Sequence, residues 1–401
     1  MRRVTCWSPI WRTAVSPSAD SRSFGAAWVT ALAGLLALAL AQGIGRFAFT
    51  PILPMMQEDA GVSLAEGGWL AAANYLGYLV GALWAMVQPA RSDHAIRAAL
   101  AITSAATLAM GLVEGLAAWL ALRALAGVSS AWALIHMSSW CAQRLARLGR
   151  PAFNGIVFAG VGAGIVLAGG LCLALMTAGA GSRAAWLWFG AIGVLVTAMV
   201  WPVVRDAEST AKSQALAGYR WTRDTVRLVA CYGAFGIGYI IPATFVPVMA
   251  KQVIDDPAVF GWAWPLFGAA AVASTLLAGA LERVISGRRL WMASACVMAL
   301  GVASPLFIGG LGGILACALL VGGTFVVATL AGVQVAREVA GGAAHVLMAA
   351  MTASFAASQV VGPLIVSYFV QRSAGISGAL LLASAVLAAS AAALAIPLRN
   401  R

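Results

Sequence analysis

The chain has 401 residues, of which 62% are hydrophobic and only 9% are charged. Soluble domains carry about 25% charged residues, so a soluble protein of this composition could not cover its surface. The composition therefore excludes a soluble enzyme, a nucleic-acid-binding domain and a secreted disulfide scaffold. The unbroken apolar runs are also unlike the alternating pattern of a membrane β-barrel.

The formal net charge of +12 would suggest a nucleic-acid partner in a soluble protein. In this chain most of the basic residues lie in the connections between apolar runs, which explains the positive net charge. We therefore predict no nucleic-acid partner. The six cysteines include no CxxC pair, and buried thiols usually serve as small apolar packing residues. The sequence contains no HExxH metal motif and no GxxxxGKS/T phosphate loop. We therefore predict neither a metal nor a cofactor.

The first 24 residues are polar and basic, and they are predicted to form a cytoplasmic N-terminal tail. They contain four arginines against a single acid, Asp20. No apolar core with a small-residue cleavage site follows, so the segment does not read as a signal peptide. An organellar transit peptide would have a similar composition, and that alternative stays open.

Twelve apolar runs follow, each long enough for a transmembrane helix of about 20 residues. The sequence therefore predicts an all-α membrane protein with twelve transmembrane helices. The predicted spans are 26–50, 66–87, 97–113, 116–140, 152–178, 184–203, 226–250, 258–281, 290–309, 311–336, 344–370 and 376–397.

The basic residues divide unequally between the two sets of connections. Of the 25 Lys and Arg residues, 20 fall on the set that includes both termini, 3 fall on the other set, and Arg46 and Arg123 lie inside spans. Cytoplasmic loops carry an excess of Lys and Arg, so both termini are predicted to be cytoplasmic. The same asymmetry supports the count of twelve spans.

The two halves of the chain resemble each other at a constant separation of 193 residues. The matching positions are Gly43 with Gly236, Gly45 with Gly238, Pro54 with Pro247, and Trp69 with Trp262. The repeat predicts two six-helix bundles, at 25–204 and 226–401, joined by a cytoplasmic linker at 205–225. In transporters built from parallel repeats, the substrate lies between the halves near the middle of the bilayer.

Two stretches carry a family resemblance. Residues 43–56 read GIGRFAFTPILPMM, and residues 68–78 read GWLAAANYLGY. The chain resembles the major facilitator superfamily, and within it the YbfB/YjiJ-type bacterial permeases. The resemblance implies the major facilitator fold, with spans 1, 4, 7 and 10 around a central cavity, and a location in the bacterial inner membrane.

Other superfamily motifs are present in part. Residues 123–127 resemble the R-x-x-x-G motif of span 4, and 279–289 resemble the cytoplasmic-loop motif G-x-x-x-D-R-x-G-R-R, with Glu282-Arg283 replacing Asp-Arg. The twin of that loop motif after span 2 lacks its Asp-Arg pair. The resemblance implies conformational or packing roles for Gly43, Gly45, Pro51, Pro54, Gly279, Glu282, Arg283, Gly287, Arg288 and Arg289.

Arg46 is the most informative single residue. An arginine inside a membrane costs at least about 2.5 kcal/mol on insertion scales, so it should face protein or a water-filled cavity. Its forked guanidinium suits bidentate binding of a carboxylate. The alternative is a structural arginine tied to carbonyls freed by Pro51 and Pro54, or paired with Glu66.

Arg123 is predicted to share a depth with Arg46, because span 4 runs opposite to span 1. We favour a structural or coupling role over substrate contact. The alternatives are outward snorkelling and pairing with Glu114. No acid lies clearly in mid-membrane, so a coupling proton would have to use Glu66, Glu114, His136 or the substrate itself. His136 titrates near neutrality in model compounds, but a single His on an apolar helix is more often a packing residue.

Further substrate or coupling candidates are Asn74, Tyr75 and Tyr78 on span 2, Tyr239 on span 7 and Gln359 on span 11. Tyr239 occupies the position of Arg46 in the second half. A cavity with Arg on one wall and Tyr on the other suits an organic anion with an apolar body. Interfacial anchoring is the alternative for the tyrosines.

The leading hypothesis is a secondary active transporter of a small solute, working by alternating access and functional as a monomer. A transport-like receptor that signals through a cytoplasmic partner is the second hypothesis. An enzyme is not predicted, because no nucleophile with a base and no paired carboxylates are found.

Overall fold

A computed structural model describes residues 17–87, 92–204, 220–281, 285–341, 344–371 and 375–397. These residues form twelve helical spans, and no strand occurs among them. The prediction of an all-α fold with two six-helix halves is confirmed. Residues 1–16, most of the linker, Glu282 and Arg283 lie outside the described residues.

The N-terminal half contains spans 1 to 6. Span 1 is built from three successive segments: Pro17–Leu38, a π-helical segment at Ala39–Ile44, and Phe49–Asp59. Spans 2 to 6 are Leu64–Val87, Ser92–Met110, Leu116–Arg147, Asn154–Thr177 and Ser182–Val200, with a single 3₁₀ turn at Pro151–Phe153 before span 5.

The C-terminal half contains spans 7 to 12. They are Arg223–Val253, Ala263–Leu281, Gly287–Phe307, Gly310–Ala340, Ala344–Gln371 and Gly375–Ala395, with a short helix at Pro257–Phe260 before span 8. The division between spans 9 and 10 is confirmed, because the chain turns at Gly310 with a φ of 70°, which glycine adopts readily.

All twelve predicted spans are helical, and among the residues that the structure describes ten helices are long and apolar enough to cross a membrane by length and composition. Several predicted spans end too early in the chain. Span 1 reaches Asp59 rather than residue 50, and span 4 reaches Arg147 rather than residue 140, because a helix continues into polar residues once it leaves the hydrocarbon layer.

The two halves pack through spans 2 and 11 and through spans 5 and 8. Small residues allow this approach, as in other membrane helix pairs. A Cβ added at Gly68 would lie 2.3 Å from Ser367 Oγ, and one at Gly169 would lie 2.5 Å from Pro265. We call the end of the bundle opposite the chain termini the distal end, where spans 1 and 7 finish.

Positions related by the repeat meet directly along span 1 and span 7. The Thr50 hydroxyl donates to the carbonyl of Ala243 at 2.9 Å, and these residues are 193 apart. Lys251 forms an ion pair with Glu58 near the distal end, again 193 residues apart. Residues that meet their own counterparts lie on the twofold pseudo-axis that relates the halves.

Candidate functional site

The site is organised by a break in span 1. The π-helical segment widens the helix, so that the Phe47 N–H bonds to Gln42 O at 3.0 Å. The Thr50 N–H then bonds to Phe47 O at 3.2 Å instead of to the carbonyl of Arg46, four residues back. π-segments inside α-helices frequently occur at functional sites. Here the break leaves the carbonyls of Gly45 and Arg46 to other donors.

Arg123 supplies those donors from span 4. Its Nη1 donates to Gly45 O and its Nη2 to Arg46 O, both at 3.2 Å. Its guanidinium lies over the Phe49 ring, with 4.6 Å to the ring centroid, and the side chain is 2% exposed. Arg123 therefore lies in the interior against backbone carbonyls, and among the described residues it neither reaches the surface nor bonds to Glu114.

Asn74 on span 2 completes this arrangement. Its Nδ2 donates to Arg123 O at 2.9 Å and to Gly45 O at 3.4 Å. Spans 1, 2 and 4 are thus joined around one polar centre. Close packing supports the junction, since a Cβ at Gly127 would lie 2.0 Å from Asn74 O.

Arg46 is oriented differently and reaches the other half of the molecule. Its Nη1 donates to Gln42 Oε1 at 3.4 Å, and its Nη2 donates to Gln359 Oε1 on span 11. Its Nε has no hydrogen-bond partner among the described residues. The alternative that paired Arg46 with Glu66 is wrong, because Glu66 accepts hydrogen bonds from Ser63 at the start of span 2.

Aromatic rings surround the Arg46 guanidinium. The distances from Cζ to the ring centroids are 4.3 Å for Tyr78, 5.1 Å for Tyr75 and 5.1 Å for Phe47. Such cation–π contacts stabilise a charge away from water. No Asp or Glu among the described residues forms an ion pair with Arg46 or Arg123. The site therefore holds two buried cations and no matching anion.

Tyr239, the counterpart of Arg46 in the second half, lies on the opposite wall. Its hydroxyl accepts a hydrogen bond from Gln359 Nε2 at 3.1 Å. Its ring stacks on Phe325 and Phe355, with centroid distances of 5.3 and 5.7 Å. Gln359 thus bridges the two repeat-related residues, Arg46 and Tyr239.

The tyrosines of the site are buried rather than interfacial. Tyr75, Tyr78 and Tyr239 are exposed by only 2%, 5% and 2%. The Tyr75 hydroxyl lies 3.1 Å from Thr244 Oγ1 on span 7, across the boundary between the halves. Interfacial anchoring is therefore wrong for these three residues.

Reasoning from sequence missed several residues of the site. Gln42 carried a usable signal, because an amide one helical turn before an intramembrane arginine shares its face. Its Nε2 donates to Ser130 O at 2.9 Å, which fixes Gln42 against span 4. Thr244, Phe325 and Phe355 carried no comparable signal, since single Thr and Phe residues are common throughout apolar spans.

His136 lies on span 4, away from the Arg46 contacts. It is 2% exposed, and its ring packs against Trp132 at a centroid distance of 5.9 Å. Both of its ring nitrogens lack a hydrogen-bond partner among the described residues. The structure thus places His136 outside the set of residues that contact Arg46.

The conformational positions are distributed between two regions. A Cβ at Gly43 would lie 2.4 Å from Gly164 Cα, so glycine lets span 1 approach span 5. Pro51 and Pro54 lie buried within the last segment of span 1. In the loop motif, Gly287 begins span 9, and Arg288 donates to Ile396 O at 3.3 Å. Gly279 lies near the end of span 8 and Arg289 is exposed.

A separate cavity of about 880 Å³ lies at the distal end of the N-terminal half. Its lining includes Asp59, Glu66, Glu114, Arg183 and Trp186. Neither Arg46 nor Gln359 lines it. We place the candidate site at Arg46 because buried, unmatched charge there lies where the halves meet.

Twelve spans in two related halves, with a buried arginine between them, define a transporter of the major facilitator architecture. A family model described as "Uncharacterised MFS-type transporter YbfB" matches residues 38–395. The chain therefore belongs to this family of major facilitator transporters.

The fold is also found in solved structures. A crystal structure of a variant of the nucleoside transporter NupG aligns with a TM-score of 0.70 and 13% sequence identity. The alignment covers 91% of this chain and 98% of the NupG chain. At this identity the likeness shows the fold alone. Comparison with curated proteins finds no match.

Proposed function

We propose that this chain is a secondary active transporter that moves a small organic anion across the membrane by alternating access. The observation that supports the proposal is the position of Arg46. It is buried, it lies at the junction of the two halves, and no acid among the described residues neutralises it. A transporter substrate binds at such a junction, where both halves can contact it.

The class of substrate follows from charge and surface. An anion would supply the negative charge that balances the Arg46 guanidinium, and a guanidinium fork binds carboxylates bidentately. The surrounding walls are aromatic, from Phe47, Tyr75 and Tyr78 on one side and Tyr239 on the other. An anion with an apolar or aromatic body fits both features.

The inter-half contacts support a state that is closed at the distal end. Hydrogen bonds join the two halves at Arg46 and on its distal side. The pairs on the distal side are Thr50 with Ala243, Tyr75 with Thr244 and Lys251 with Glu58. We assign the distal end to the outer face of the bacterial inner membrane, in accord with the excess of basic residues at the other end.

We propose that the chain acts as a monomer, since one chain of twelve spans can enclose a complete pathway for a substrate. A coupling proton is assigned to His136 or to the substrate itself. The position of His136 supports this assignment, because it is buried in span 4 with both ring nitrogens free of partners among the described residues.

Ligand-induced thermal stabilisation of the purified protein tests the substrate class. A panel of organic anions and neutral solutes of similar shape is applied to wild type, Arg46→Ala and Arg46→Lys. A ligand at 100 times its Kd stabilises by about 2.7 kcal/mol. We expect anions to stabilise wild type only, since lysine lacks the fork. A neutral solute that stabilises all three proteins would refute the anion assignment.

Uptake into proteoliposomes then tests transport itself. An anion that stabilises wild type is supplied outside vesicles with and without an imposed pH gradient. We expect accumulation against its concentration gradient in wild type and none in Arg46→Ala. A protein that binds the anion but never moves it is the receptor of the second hypothesis, and the transport proposal is then wrong.

A further inference from the structure

Gln359 forms the hydrogen bond that joins the two halves at Arg46. Its Oε1 accepts from Arg46 Nη2, and the residues are 313 positions apart in the chain. Both side chains are buried, with Arg46 4% exposed and Gln359 fully enclosed. The bond therefore lies in the interior, where water does not compete for it.

The orientation of the Gln359 amide follows from its two partners. Its Nε2 lies 3.1 Å from the hydroxyl of Tyr239, which can accept a hydrogen bond. A guanidinium only donates, so the group that faces Arg46 must be an acceptor. The amide oxygen thus faces Arg46, as a neutral acceptor where a negative oxygen would bind more strongly.

The Arg46 guanidinium has five N–H donors, and only its two Nη atoms have hydrogen-bond partners among the described residues. Nη1 is bound to Gln42, Nη2 to Gln359, and Nε has no partner among the described residues. Nε and Nη2 form one edge of the fork, which accepts a carboxylate side-on with two parallel hydrogen bonds. A carboxylate on this edge would satisfy Nε, and its second oxygen would compete with the Gln359 amide oxygen for Nη2.

We propose that the amide oxygen of Gln359 is an internal stand-in for a carboxylate oxygen of the substrate, and that substrate binding displaces it. The inference rests on the proposed function and deepens it to a substrate class, the carboxylates. Displacement breaks the contact between Arg46 and span 11, so occupancy of the site loosens one connection between the halves. Gln359 thereby sets specificity, because a neutral amide ligand gains nothing by replacing another amide.

Two substitutions separate this role from simple packing. Gln359→Glu places a permanent carboxylate against Arg46, so added carboxylates have no free edge to bind. Gln359→Leu removes the competing acceptor, so a carboxylate binds without displacing anything. Gln143→Glu is the matched control, because Gln143 is exposed and bonds only to Ser139 within span 4.

The probes are benzoate and benzamide, which share a shape and differ in charge, with binding followed by thermal shift and by calorimetry. We expect benzoate to bind wild type and Gln143→Glu, and benzamide to bind neither. Gln359→Leu should bind benzoate about tenfold more tightly, the cost of one hydrogen bond to a charged group. Gln359→Glu should not respond to benzoate, and it should melt above wild type without ligand.

Three results would overturn the inference. They are a Gln359→Glu protein that binds benzoate like wild type, a Gln359→Leu protein with unchanged or weaker binding, and no benzoate binding to any variant. Uptake into proteoliposomes distinguishes a failure of this inference from a failure of the proposed function. If an anion is transported while the Gln359 variants bind like wild type, the inference fails and the proposed function stands. If only neutral solutes are transported, the proposed function fails as well.

Discussion

At the residue scale, the two intramembrane arginines solve the problem of a buried charge in different ways. Arg123 donates to two backbone carbonyls that the break in span 1 leaves open. Arg46 instead lies among aromatic rings and donates to two neutral side-chain amides, those of Gln42 and Gln359. A buried charge is costly unless it is paired or hydrogen-bonded. Both guanidinium groups keep an Nε without a partner among the described residues, but Arg123 donates to backbone carbonyls, whereas Arg46 donates to neutral side-chain amides.

Replacement of Arg123 should destabilise the protein rather than change its specificity. Arg123→Met keeps the length of the side chain but leaves the carbonyls of Gly45 and Arg46 without these donors, at a cost of about 1–3 kcal/mol for each unsatisfied group. We expect a lower melting temperature that saturating ligand raises by no more than it raises wild type. Arg223→Met, at an exposed position, should melt like wild type. An Arg123→Met protein as stable as wild type would contradict the structural role.

Reasoning from sequence reached part of this site. An arginine in an apolar run is visible without a structure, because few residues are so costly in a membrane. Neither structural contact considered for Arg46 is present among its hydrogen bonds, since it donates to the side chains of Gln42 and Gln359 and Glu66 accepts from Ser63. Which arginine holds the carbonyls depends on the rotation of span 4 against span 1, and hydropathy does not encode rotation.

At the scale of elements, the site depends on how closely spans 2 and 4 approach. Gly77 and Gly127 lie at their crossing, and a Cβ at either would lie 2.0 Å from a backbone carbonyl oxygen of the other span. Small residues at such crossings let helix backbones come into direct contact. The approach brings Asn74 Nδ2 within 2.9 Å of Arg123 O. The hydrogen bonds of the polar centre therefore depend on the close packing of spans 2 and 4.

A single methyl group at this crossing should separate the two spans. Gly127→Ala should cost about 1–3 kcal/mol, the usual range for overpacking a close contact, and it should weaken anion binding because Asn74 and Arg123 move with their helices. Gly170→Ala in span 5 is the control, because a Cβ there meets no atom within 4 Å. Thermal unfolding and benzoate binding are measured on both variants. Equal behaviour of the two would show that the crossing tolerates extra volume.

At the scale of the whole molecule, the repeat places equivalent residues against each other. Thr50 meets Ala243 and Glu58 meets Lys251, each pair 193 residues apart. Glu58 is 63% exposed on its side chain, and ion pairs of this kind contribute only about 0–1 kcal/mol. This ion pair therefore adds little to the stability of the contact between the halves at the distal end.

Covalent closure of the distal end should stop transport reversibly. Glu58→Cys and Lys251→Cys are combined in a background whose six native cysteines are replaced, and the pair is joined by a short bifunctional reagent that forms reducible disulfides. We expect efficient cross-linking without substrate, loss of proteoliposome uptake, and recovery of uptake on reduction. Each single substitution, treated identically, is the control. Uptake that persists in fully cross-linked protein would rule out opening at this end.

The sequence by itself determined the class of protein, the number of spans, the excess of charge at one end and the two related halves. These features follow from the bilayer, which demands about 20 apolar residues per helix and leaves a pattern that survives along the chain. Tertiary structure decided the site. The bond from Arg46 to Gln359 joins residues 313 positions apart, and the contact from Arg123 to span 1 depends on a local π-helical break. Both depend on how helices rotate and pack against one another, and in a bilayer small residues and polar contacts control that packing rather than hydrophobicity.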